Sequence, residues 1–108
     1  MFNVNIGNVV SCLSTLSNHM ISNTNHAILR IYERELTEQS IINCLINEEI
    51  MGILKQSPNN FQIFYKHPYK ELKYDLVIII VFNHYPKCNI RVVTIYEQSV
   101  KRRVRDDD

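Results

Sequence analysis

Seven consecutive apolar residues, Leu76 to Phe82 (LVIIIVF), constrain this chain more than any other stretch. The run is short, rich in β-branched residues and apolar at every position, which predicts a central strand with neither face left in water. Period two places Leu76, Ile78, Ile80 and Phe82 on one face and Val77, Ile79 and Val81 on the other. A chain of 108 residues, 45% hydrophobic, has length for one compact domain, and its helices readily cover only one of those faces. The second face is therefore expected to meet a second copy or another partner.

The other elements are arranged around this strand. Apolar residues recur at helical spacing from Ile6 to Met20, and the polar segment at 21–25 (ISNTN) reads as a turn. Residues 25–35 (NHAILRIYERE) read as a second helix, and Thr37 as the N-cap of a third over residues 38–46. The pattern then shifts to strands. EIMGILK and FQIFYK form a hairpin about a Ser-Pro-Asn-Asn turn, with Gly52 as a possible bulge site, and residues 90–97 (IRVVTIYE) form the last strand. Strict alternation would place Val93 and Ile95 on one face of that strand, and Ile90, Val92, Thr94 and Tyr96 on the other. The expected architecture is α+β: two or three N-terminal helices on a four-stranded, mainly antiparallel sheet. Residues 1–98 form a single domain and residues 99–108 a charged tail.

Composition excludes several classes of function. A net charge of +1 does not suit a protein that coats nucleic acid by bulk electrostatics, so any polyanion site must be a local patch. Three cysteines, Cys12, Cys44 and Cys88, without CxxC spacing argue against a disulfide framework and against a cysteine-rich zinc site; a reducing cytoplasm is the expected location. No apolar run reaches the length of a membrane span, and no membrane partner is expected. His67, His84 and Cys88 form a weak metal trio in loops, and neither metal nor other cofactor is expected.

The most pointed chemical spacing is on the second helix, where His26, Arg30 and Arg34 recur every four residues and so share one stripe. One imidazole and two guanidinium groups along the edge of a helix would hold an anion, with His26 able to accept or donate a proton. Thr94 and Tyr96, two apart on one strand, would both reach a single bound group. The plainer alternatives are a histidine packed on its own helix, arginines paired with nearby glutamates, and cross-strand packing at Thr94 and Tyr96.

In pattern, the chain resembles the domain of unknown function 4258 family. The elements that carry the resemblance are His26-Ala27, Arg30, Glu33-Arg34, Thr37, Glu49-Ile50-Met51 and Val93-Thr94-Ile95-Tyr96, spread from about Ile6 to Glu97. It departs at Glu35, where that family commonly has glycine. The resemblance implies a fold similar to the RelE and barnase group of small ribonuclease toxins, an RNA substrate, an antitoxin partner and no metal. On that basis the expected function is a toxin-like protein that cleaves or binds RNA. His26 would act as base or acid, Arg30 and Arg34 would hold the scissile phosphate, and Thr94 and Tyr96 would be supporting donors. The alternative is a non-catalytic module that binds protein, as a homodimer or with another partner, through the exposed sheet face.

Overall fold

The computed structural model describes residues 4–68, 74–83 and 87–99. Helix α1, Ile6–Leu13, starts at Asn5, whose side chain accepts from the Asn8 amide while the Asn8 side chain accepts from the Asn5 amide. That reciprocal pair satisfies two amide donors that a helix start otherwise leaves unpaired. α1 is shorter than the apolar spacing suggests, because a 3₁₀ turn at Asn18–Met20 takes over its last residues. Helices α2, Asn25–Glu33, and α3, Glu38–Asn47, are capped by the hydroxyls of Thr24 and Thr37, which accept from the amides of Ala27 and Ser40.

Between α2 and α3 the chain turns sharply. Arg34 caps α2, Glu35 follows in the left-handed region with φ of 59°, and Leu36 returns to the core. The Leu36 amide donates to the Ile31 carbonyl and the Glu35 amide to the Tyr32 carbonyl, the paired bonds of a Schellman turn. Glycine suits that left-handed position best, and here a glutamate occupies it.

Among the described residues the sheet has five strands, at Ile21–Asn23 (β1), Gly52–Ser57 (β2), Asn60–Lys66 (β3), Tyr74–Asn83 (β4) and Asn89–Ser99 (β5), in the order β1-β5-β4-β3-β2, one more than expected. The addition is β1, Ile21–Asn23, which pairs parallel to β5, Asn89–Ser99, while every other pairing is antiparallel. Its three residues show no alternation, which is why they read as a turn; the strand is defined by its partner. The hairpin of β2, Gly52–Ser57, and β3, Asn60–Lys66, forms as expected, but its irregularity lies between Lys55 and Ser57 rather than at Gly52. At Gly52 an added Cβ would meet the Phe64 ring at 3.5 Å, an ordinary van der Waals contact, so the glycine is not there to make room for that ring.

β4, Tyr74–Asn83, is the central strand that LVIIIVF predicts. Leu76, Ile78, Ile80 and Phe82 join Phe61, Ile63 and Tyr65 of β3 and Ile90, Val92 and Ile95 of β5 in one core. Val9, Leu13, Ala27, Ile31, Ile41 and Leu45 of the helices complete it. Phe61 and Phe82 meet edge to face at 6.0 Å.

Two expectations about cysteine and the last strand are corrected. Cys12 and Cys88 form a disulfide across 76 residues, their Cα atoms 5.3 Å apart, while Cys44 is free and buried. The odd count concealed one pair plus one core thiol, and the cysteine argument for a reducing compartment loses its basis. In β5 the pairing slips: Ile79 of β4 faces Thr94, but Ile80 faces Val92, leaving Val93 as the extra residue of a bulge. Alternation therefore breaks at Val93. Ile90, Val92 and Ile95 share the helix side of the sheet, whereas Arg91, Thr94 and Tyr96 project from the other.

No helix among the described residues is long and apolar enough to cross a membrane. The charged residues from Lys101 onward lie outside the described part, and β5 itself continues through Ser99.

Candidate functional site

The bulge decides how the five candidate residues are distributed. α2 packs its buried Ala27 and Ile31 against the helix side of the sheet, so His26, Arg30 and Arg34 all belong to that side. Thr94 and Tyr96 face Ile79 and Val77 on the far side. The two groups do not line one cleft, because a whole layer of sheet separates them.

On α2 the three residues differ in surroundings. His26 is exposed at the first turn. Arg30 reaches Glu33 at 3.8 Å, an exposed pair worth a few tenths of a kcal/mol at most, roughly. Arg34, at the cap, turns under the helix end and brings Nε to 3.9 Å from Oε1 of Glu97, within ion-pair range but beyond hydrogen-bonding distance. On the far side, burial raises the Tyr96 phenol above its ordinary value, which favours its neutral form.

Glu97 is the centre of a polar cluster that spacing alone does not reveal. Its Oε2 lies 2.5 Å from Nε2 of His67, whose side chain is 2% exposed, while its Oε1 faces Arg34. With Glu97 ionised, the imidazole donates from Nε2, so the carboxylate fixes the ring's orientation from one side and is itself bracketed by a guanidinium group. Glu97 reaches this place because the bulge puts it on the helix side, two residues beyond Ile95. Unbroken alternation would also have put Glu97 with Ile95, but with Val93 and Arg91 as companions instead of core residues. His67 lies just past Lys66, the last residue of β3, where the sequence also opens a loop at His67-Pro68.

His67 also lines a polar cleft of about 600 Å³ between α3 and the end of β3, with Thr37, Ser40, Asn43, Cys44, Glu48 and Lys66 among its walls. Burial, and then the nearby Glu48 carboxylate, push the Cys44 thiol up to about 11, so it is a neutral core group rather than a nucleophile. The Tyr65 hydroxyl, fully buried and without a hydrogen-bond partner, is raised as well, first by burial and then by Cys44. This cleft therefore has an oriented imidazole and no activated thiol. Of the trio His67, His84 and Cys88, the last is in the disulfide, His67 is held by Glu97, and His84 lies outside the described residues.

The far side of the sheet is the other distinctive surface. Across four strands runs the row Leu54, Gln62, Ile79 and Thr94, with Val81 and Arg91 beside it. Leu54, Ile79 and Val81 are only partly buried, and none belongs to the core cluster that the helices cover. One end of this face is closed, with Phe64 and Val77 buried.

These features define a small α+β protein with a mixed five-stranded sheet, helices on one face, and a partly exposed, uncharged row on the other. The chain belongs to the MJ0788 family, whose model matches residues 7–80, more than half of its length. No curated protein and no solved structure matches it. The family match replaces the resemblance to the domain of unknown function 4258 family and removes the inference from it to the RelE and barnase group, with its RNA substrate and antitoxin. The elements behind that resemblance are short. HAxxRxxER is what a capped amphipathic helix with a charged edge tends to contain, and a Thr-x-Tyr pair is common strand patterning.

Proposed function

We propose that this protein is a non-catalytic interaction module that pairs with a second copy of itself through the sheet face turned away from its helices. The observation that carries this reading is the partly exposed set Leu54, Ile79 and Val81 on that face, with no helix among the described residues packed over it. In a two-fold interface each residue near the axis meets its own counterpart, so a charge there would face its like. The row Leu54, Gln62, Ile79 and Thr94 carries none. An uncharged strip that mixes aliphatic side chains with Gln62 and Thr94 in the middle of a sheet suits self-pairing better than binding to a charged polymer.

Burying the rest of each aliphatic side chain contributes on the order of 1 kcal/mol, and the symmetry counts it twice. A dimer populated at tens of micromolar needs a net of about 6–7 kcal/mol, so contacts beyond these three side chains must offset the entropy of association. Light scattering tests it. Wild-type protein should approach twice the chain mass of 12.8 kDa at tens of micromolar, and Ile79→Lys should return to the chain mass with an unchanged circular dichroism spectrum. A wild-type protein that stays at the chain mass throughout would refute the proposal.

A further inference from the structure

A second polar pocket lies at the corner where β1 and β5 begin, lined by His19, Met20, Ile21, Ser22, Asn89, Ile90 and Arg91 and enclosing about 340 Å³. Ser22 and Arg91 are direct register partners in the parallel pair, so their side chains stand next to each other on one face. His19 reaches the same pocket from the 3₁₀ turn, and its Nδ1 lies 3.2 Å from the Ser17 hydroxyl, which holds the ring from one side. Among the described residues lining the pocket there is no carboxylate.

We infer that this corner binds the phosphoryl group of a small phosphate monoester. Arg91 presents a planar fork of donors that matches two phosphate oxygens, while the Ser22 hydroxyl, the Asn89 amide and the His19 ring supply single donors from other directions. Donors distributed in this way fit a tetrahedral oxyanion better than a planar carboxylate, which one guanidinium group already satisfies. Met20 lines the pocket beside these donors, which gives the ester's organic part an apolar surface that inorganic phosphate does not use. The volume suits one small molecule. β1 is an edge strand at the opposite edge of the sheet from Leu54, and because Arg91 stands opposite Val81 on the face proposed for pairing, the titration is run on Ile79→Lys as well as on wild type to keep the two readings distinguishable.

Titration of the full chain by amide chemical-shift mapping, with inorganic phosphate, phenyl phosphate and benzoate in turn, tests it directly. Saturable shifts centred on Ser22 and Arg91 are expected for both phosphates, with dissociation constants around 1 mM and phenyl phosphate the tighter by roughly threefold. Arg91→Gln, an exposed substitution, should weaken both by roughly tenfold or more while leaving the rest of the spectrum in place. Absence of saturable shifts at this corner with either phosphate would overturn the inference, as would undiminished binding by Arg91→Gln. Benzoate binding as tight as phenyl phosphate would overturn the assignment to a phosphoryl group.

Discussion

Thr94 stands opposite Ile79 across the β4–β5 pair, and two residues earlier Val92 stands opposite Ile80. That slip of one residue places Thr94 on the far side of the sheet from α2. A catalytic group made of both surfaces would need His26 and Tyr96 to act on one substrate atom, and the sheet lies between them. Substitutions at the two should therefore act independently. In a cycle of His26→Ala, Tyr96→Phe and the double variant, unfolding free energies are expected to add within about 0.5 kcal/mol. A coupling well beyond that value in chemical denaturation would mean that the residues share an environment.

Glu35 occupies a left-handed position that costs a residue with a side chain about 1 kcal/mol relative to glycine. Glu35→Gly should thus stabilise the protein by roughly that amount, despite the greater freedom glycine brings to the unfolded chain. Thermal unfolding would record this as a rise of several degrees. A lower midpoint would contradict the turn geometry at the α2–α3 junction.

The Cys12–Cys88 bond closes a loop of 76 residues, long enough for its loss to cost roughly 3–5 kcal/mol by chain-entropy arguments. Unfolding of the Cys12→Ser, Cys88→Ser double variant should show a loss of this size, and added reductant should bring wild type to the same midpoint. Identical wild-type curves with and without reductant would show that the bond contributes nothing.

Cys44 sets a limit at high pH. Its thiol is raised by burial and then by Glu48 from an ordinary 9.0 to about 11 in the fold. The unfolded chain therefore loses this proton first as pH rises. Stability from the neutral buried thiol is fully present below pH 9 and is lost between 9 and 11, at up to about 1.4 kcal/mol per pH unit. Tyr65, raised for the same leading reason, acts in the same direction. Alkylation at pH 8 should spare Cys44 until the protein unfolds, and Cys44→Ala should flatten part of the loss above pH 9. Rapid labelling of the native thiol at pH 8 would contradict this.

What the sequence reveals about this molecule depends on whether a local pattern reports the interaction. LVIIIVF is legible as the central strand because its seven apolar residues have no other stable placement, and the threonine caps of α2 and α3 are legible because capping is a contact within three residues. β1 is not legible, since three residues with no alternation become a strand only when β5 lies alongside. The bulge at Val93 leaves no mark, as every residue around it is an ordinary strand former. It therefore reversed the expected face of Ile90 and Val92 relative to Thr94 and Tyr96. The His67–Glu97–Arg34 cluster and the disulfide join residues 30 to 76 positions apart, and no spacing rule reaches that far.

The central claim is that the free sheet face, and not the helix face, meets a second copy. Oxidative cross-linking of Ile79→Cys, compared with Tyr32→Cys on the exposed side of α2, where Tyr32 is 63% accessible, tests this most directly. Ile79 sits near the proposed axis, so Ile79→Cys should convert largely to a covalent dimer on a non-reducing gel, while Tyr32→Cys stays mainly monomeric. Equal dimer yields from the two, or a higher yield from Tyr32→Cys, would contradict it.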